Sequence, residues 1–235
     1  MRRFHVFDTA TDAVLAAARH LLHLSEYALR ARQTARLALA GGQTPVPLYD
    51  WLAHAPEGRA VLGRPEVIVC PTDERWVPAG HPRSNADLLY RHLVTPLASH
   101  APPALHTWPV TASSPLAAAT DMASWLEHWR LPHDALPRLD VALLGLGDDG
   151  HTASLFSPRD GKSGLTAVTR APDGEIRLSF SIPVLAAAHA RMFLVLGPSK
   201  AAALQAVWCD EQHPAALLAD ADWFVDVAAA RRLEG

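Results

Sequence analysis

The feature that most restricts the fold of this chain is a repeated unit: a short apolar run stops at glycines or a polar loop, and a helix start follows. Arg36–Ala40 (RLALA) runs into Gly41-Gly42, and Thr44-Pro45 then offers a helix opening, because proline is tolerated in the first turn. Glu66–Cys70 (EVIVC) leads into the polar stretch PTDERWVPAGHPRSN and a helical pattern from about Ala86 to Leu93. Leu139–Leu144 leads into GLGDDGH, and Arg191–Leu196 (RMFLVL) into Gly197-Pro198 ahead of a helix over Ser199–Trp208. Short apolar runs bounded by turn residues read as strands buried on both faces, whereas Ile176–Ile182 (IRLSFSI) alternates as a half-buried strand does. Strands alternating with helices predict parallel pairing, right-handed crossovers and helices on both sheet faces. The expected class is α/β: three layers, α/β/α, around a mostly parallel, Rossmann-like sheet.

Between these units, alanine and leucine recur at helical spacing from Thr11 to about Arg32, with Thr11 or Asp12 available as N-cap. Ser99–Pro115 reads as a surface connection before an amphipathic helix over about Leu116–Trp129. Arg159–Glu175 reads as a polar loop long enough to act as a mobile flap. At 235 residues, with neither repeat nor linker, residues 1–235 are expected to form one domain.

Charge narrows the partner. The formal net charge of −3 leaves no basic footprint for nucleic acid or an anionic membrane, so a small molecule is expected, on a protein that is a monomer or a weak homo-oligomer. No apolar stretch approaches the roughly 20 residues that span a bilayer, and MRRFHVFDTATD lacks an apolar signal core, so a cytoplasmic location is expected. Cys70 and Cys209 are too few for a disulfide framework and form no CxxC pair; both are expected to be buried thiols. His20 and His23 share a helix face without a third ligand, and His54, His100, His106 and His133 read as surface residues.

Four stretches carry candidate chemistry. Gly41, Gly42, Gln43 and Thr44 lie at a strand-to-helix turn, which is either a tight turn needing glycine for its geometry or an anion cradle of free amides at the positive end of a helix. It has neither the Walker ending nor a GxGxxG pattern, which disfavours nucleotides. Asp73, Glu74 and Arg75 are either a solvated charge cluster or a binding loop just past a buried strand, anchored by Trp76 and Val77. In GLGDDGH, glycines deliver His151 beyond a strand end, where an imidazole can take a proton from water and an aspartate such as Asp149 can orient it. No GxSxG elbow accompanies it, so water is the expected nucleophile. Lys200, one of only two lysines, opens the helix after GPS, and Arg177 sits on the IRLSF strand; each alone reads equally as a solvated cation.

Taken together, GGQTP (Gly41–Pro45), DERWVP (Asp73–Pro78) with Ser84-Asn85, GLGDDGHTASLF (Gly145–Phe156), IRLSF (Ile176–Phe180) and GPSK (Gly197–Lys200) resemble, in order and spacing over nearly the whole chain, the 6-phosphogluconolactonase family pattern. That pattern has a GGSTP-like turn, DERxVP followed by SN, GLGxDGHTASLFP, an R-I-T-L-type strand and a late GxxK. The resemblance implies hydrolysis of 6-phospho-D-glucono-1,5-lactone in the oxidative pentose phosphate pathway, with neither metal nor organic cofactor. By the same resemblance His151 would be the general base, Asp149 and Asp73 would position groups around it, and Arg75 would bind or polarise substrate. The Gly41–Thr44 turn, Arg177 and Lys200 would hold the phosphate. Three departures stand out: Gln43 replaces the usual serine, Ser157-Pro158 the usual Pro-Gly, and Ser179 the usual threonine.

Two rival readings differ in testable ways. A glucosamine 6-phosphate isomerase and deaminase of related fold continues DGHIAFNEP, whereas this chain continues HTASLFSP, with neither the asparagine nor the glutamate. A non-catalytic sugar-phosphate sensor would need the phosphate clamp more than His151, Asp149, Asp73 and Arg75.

Overall fold

The computed structural model describes residues 3–98, 102–210 and 212–233; His100 and the start of the Ser99–Pro115 connection lie outside them. Its strands are β1 (Arg3–Phe7), β2 (Ala35–Leu39), β3 (Val67–Pro71), β4 (Asp73–Arg75), β5 (Ala104–Leu105), β6 (Val141–Leu144), β7 (Thr166–Arg170), β8 (Ile176–Phe180), β9 (Ala190–Val195) and β10 (Asp222–Asp226). The helices are α1 (Ala10–Arg32), α2 (Val46–His54), α3 (Pro56–Leu62), α4 (Asn85–Leu89), α5 (Thr95–Leu97), α6 (Pro115–Glu127), α7 (Ile182–Ala187), α8 (Ala201–Cys209) and α9 (Val227–Ala230).

The main sheet has seven strands in the order β1-β10-β9-β6-β2-β3-β5, and all its pairings are parallel. Successive side chains of a strand point to opposite faces, and here each face has its own core. Leu37, Leu39, Val69, Leu143 and Leu194 pack with α1 to α4 on one side. Ala38, Ala142, Leu144, Phe193 and Trp223 pack with α6 to α8 on the other. This is the expected three-layer α/β architecture, and burial on both faces explains why the central strands are almost continuously apolar.

The order also fixes where a ligand can sit. From β2 the chain steps outward through β3 to β5, then returns to β6 on the other side of β2 and steps outward through β9 to β10. Adjacent strands β2 and β6 therefore send their connections to opposite sides, which opens a crevice beyond their carboxyl ends, at the switch point where α/β proteins bind ligands.

Several expectations need correction. The α1 N-cap is Thr9, whose side chain accepts from the Asp12 amide, rather than Thr11 or Asp12. The polar stretch after β3 contains β4, and the Arg159–Glu175 segment contains β7; both pair antiparallel with β8 in a separate three-stranded sheet. Alternation alone thus overstated the parallel pairing, because β8 takes its neighbours from segments whose polar sequence reads as loop. The helical stretch from Asn85 runs on through a π-helical turn at Tyr90–Val94. Cys70 is buried but Cys209 is exposed, at the end of α8. His106 is half-buried, stacked flat on Trp125 with ring centroids 3.6 Å apart, and burial lowers its pKa.

Candidate active site

A cavity of about 630 Å³ opens in the crevice beyond β2, β3, β6 and β9. Every sequence-predicted site residue lines it: Gly41, Gly42, Gln43, Thr44, Asp73, Arg75, Asp149, His151, Arg177 and Lys200.

The turn after β2 is built by close approach. A Cβ on Gly41 would sit 2.0 Å from the Asn85 Oδ1, and Gly42 has a φ of +83°, which favours glycine. Beneath it, the fully buried Tyr49 hydroxyl donates to the Ala40 carbonyl at 2.6 Å, and burial raises its pKa so that it stays a neutral donor. Among the described residues the amides of Gly42, Gln43 and Thr44 have no acceptor, and α2 starts directly after them. Amides left free at a helix start suit an anion.

The loop after β6 presents His151. Its carbonyl accepts from the Gly147 amide at 2.8 Å, and its ring Nδ1 lies 2.5 Å from Asp149 Oδ1, which also accepts from the His151 amide. Burial works to raise the Asp149 pKa, but the two hydrogen bonds from His151 outweigh it and hold the carboxyl below its ordinary value. An ionised carboxylate only accepts, so Nδ1 donates in this hydrogen bond, and in the neutral ring Nε2 is the nitrogen that carries the lone pair. Among the described residues Nε2 has no hydrogen-bond partner. Phe156 packs at 4.8 Å from the ring.

The β4 strand turns the DER triplet into three different environments. Asp73 accepts from the Thr72 hydroxyl at 2.8 Å and the Ser154 hydroxyl at 2.6 Å, which ties it to the segment just after His151. Glu74, 1% exposed, is no solvated charge: it accepts from the amides of Arg75, Asn85 and Ala86 and from the Ser84 hydroxyl. Burial raises its pKa, and these donors offset only part of that rise. Its task is to pin the start of α4, and with it Asn85, whose side-chain amide donates to the Asp73 carbonyl at 2.7 Å.

Arg75 on β4 lies directly opposite Arg177 on β8. Like charges opposed across an antiparallel pair are unfavourable, so this pairing signals a place where an anion is expected. Glu175 offsets part of the charge through ion pairs with Arg177 and with Arg83, the latter at 2.7 Å. The Arg75 guanidinium donates to the Arg83 carbonyl and has no ion pair among the described residues. At the opposite rim the Lys200 ammonium meets Asp148 at 2.7 Å.

Sequence reasoning missed Ser154 and Asp148, which line this cavity, and Glu175, which pairs with its Arg177. Ser154 lies inside the HTASLF block, but only the pairing of β4 with β8 places its hydroxyl on Asp73. Among the described residues no three histidines, cysteines or acidic side chains gather into a metal-binding group, and no helix is long and apolar enough to cross a membrane.

The family model described as glucosamine-6-phosphate isomerases/6-phosphogluconolactonase matches residues 8–225. The chain belongs to this family. Among its curated relatives, the 6-phosphogluconolactonase of Synechocystis is 36% identical over 194 residues, which is 80% of this chain and 77% of that protein. The Pseudomonas putida 6-phosphogluconolactonase is 38% identical over 76% of this chain and 72% of its own length, and the human one 34% identical over 86% and 82%. The 6-phosphogluconolactonase structure from Trypanosoma brucei superposes with a TM-score of 0.83 over 99% of both chains at 22% identity, a likeness of fold.

Proposed function

We propose that this cavity hydrolyses 6-phospho-D-glucono-1,5-lactone to 6-phospho-D-gluconate. One arrangement carries the reading: an imidazole oriented by an ionised carboxylate opens onto a cavity whose other walls supply three cations and a turn with free amides. The protein is then a carboxylic ester hydrolase, the activity its 6-phosphogluconolactonase relatives are named for. Phe156 lines the wall just after His151, at the position where the isomerase and deaminase pattern would put its glutamate.

In the proposed reaction His151 Nε2 takes a proton from a water molecule as its oxygen attacks the lactone carbonyl carbon, and the carbonyl π electrons move onto the oxygen. Arg75 or loop amides stabilise that oxyanion. The intermediate collapses, the bond to the ring oxygen breaks, and the His151 imidazolium returns its proton to that oxygen as it leaves as a hydroxyl; the new carboxylic acid then loses its proton to solvent. Asp149 orients the ring through Nδ1 throughout, and Asp73, tied to Ser154, fixes the loop that carries it. The Gly41–Thr44 turn, Arg177 and Lys200 hold the phosphate, with a Gln43 amide where the family has a serine hydroxyl. An imidazole for the proton and cations for the carbonyl leave no step that requires a metal or organic cofactor.

The test is acid release from freshly prepared lactone. His151→Ala is expected to lower kcat by about 10²- to 10⁴-fold with KM nearly unchanged, since general acid–base catalysis is worth that much. Wild-type turnover in a folded His151→Ala protein overturns the assignment, and ammonia release from glucosamine 6-phosphate by the wild type overturns the choice of reaction.

A further inference from the structure

Two cations of the cavity are already matched by carboxylates of the same chain, and the two carboxylates sit very differently. Glu175 is 16% exposed and paired with both Arg83 and Arg177, and so is held in place behind the wall. Asp148 is 72% exposed, has Lys200 as its one ion-pair partner among the described residues, and occupies the position that the GLGxDGH pattern leaves open. Lys200 itself is only 20% exposed, so its ammonium has few alternatives to Asp148 on one side and the cavity on the other.

We infer that Asp148 is a displaceable internal counter-ion that occupies the Lys200 ammonium when the cavity is empty and competes with the substrate's phosphate for it. This rests on the reading that Lys200 belongs to the phosphate subsite. A dianion entering there meets either a cation already neutralised or a carboxylate at 2.7 Å from the same nitrogen, and both weaken its binding. Asp148 thus sets how strongly the site favours phosphorylated over uncharged lactones. An aspartate at this position is a specificity-determining residue that acts on KM.

The experiment is a double-mutant cycle on KM for the phosphorylated lactone, with unphosphorylated glucono-1,5-lactone as reference and inorganic phosphate as competitor. Exposed ion pairs are weak, so Asp148→Asn is expected to lower KM for the phosphorylated lactone, and the inhibition constant of phosphate, by about 2- to 5-fold. The effect should shrink as salt rises toward 1 M, where screening lengths fall to about 3 Å. The KM for the unphosphorylated lactone should not follow. Lys200→Ala should raise KM for the phosphorylated lactone, and Asp148→Asn added to it should then change nothing further. A rise in KM with Asp148→Asn would make Asp148 a support that aims Lys200 and overturns the proposal, as does an unchanged KM or a fall that persists in the Lys200→Ala background. If Lys200→Ala leaves KM unchanged, the phosphate reading of Lys200 fails, whatever Asp148→Asn does.

Discussion

At the scale of single residues, the geometry around His151 depends on what is missing at position 147. A Cβ there would lie 2.1 Å from the imidazole Nδ1 and 2.7 Å from Asp149 Oδ1, inside the hydrogen bond that orients the ring. Gly147→Ala must push the imidazole off its carboxylate while leaving the strands untouched. The expected outcome is a loss of kcat of at least about 10²-fold, with a stability change within the roughly 1–3 kcal/mol typical of local overpacking. Steady-state kinetics beside a urea titration would check both halves; full activity would mean that the ring does not need Asp149. Glycines at 145, 147 and 150 were legible as permissive positions, but only the fold identifies 147 as the one that makes room for the His151–Asp149 pair.

At the scale of elements, the decisive piece is β4. Its three residues face a cavity, a buried niche and a cavity again, because side chains alternate along a strand. Glu74 in that niche organises the start of α4 through two amides and a hydroxyl, and also accepts from the Arg75 amide of its own strand. Glu74→Gln puts an NH₂ group where donors already converge, leaving at least one buried amide unpaired at a cost of about 1–3 kcal/mol. The unfolding free energy from a urea titration is expected to fall by that amount, and the midpoint with it. Activity should fall further than stability explains, since Asn85 and the Gly41 turn it contacts lose their anchor. An unchanged midpoint would show that water or backbone movement satisfies those amides. The sequence placed DER beyond a strand end, but a tripeptide of charged residues carries no strand signal of its own. It becomes β4 only because β8 offers it an edge.

At the scale of the whole molecule, the edge strand β1 is held to β10 by register pairing and by Asp222, which is 8% exposed and accepts from Arg3 at 2.7 and 2.8 Å, with His5 at 3.0 Å and His20 at 3.5 Å. The hydrogen bonds from Arg3 above all, opposed by burial and reinforced by His5, hold the Asp222 carboxyl far below the carboxylate range. A depressed carboxyl stabilises the fold above its unfolded pKa of about 3.9, and that contribution is lost as pH falls below this value toward the folded-state pKa. Unfolding free energy should therefore drop on acidification through that range. Asp222→Asn should be less stable than wild type at neutral pH, with the gap closing as the pH falls below about 4. A gap that does not depend on pH would assign the loss to packing around Phe224 and His20 rather than to charge.

What the residues alone determined is whatever is written locally along the chain. Apolar runs buried on both faces, the glycine punctuation after them and the helix starts beyond were readable, because strand and turn propensities act over a few neighbours. So were the residue types at the strand ends: the imidazole with its aspartate, the DER triplet and the late lysine. Tertiary structure alone decided the order β1-β10-β9-β6-β2-β3-β5, the small antiparallel sheet, and which carboxylate faces which cation. Those contacts join residues as far apart as Asp73 and Ser154 or Asp148 and Lys200. A pairing over such a separation leaves no local mark, since it is selected by packing of the complete sheet rather than by the preferences of either segment.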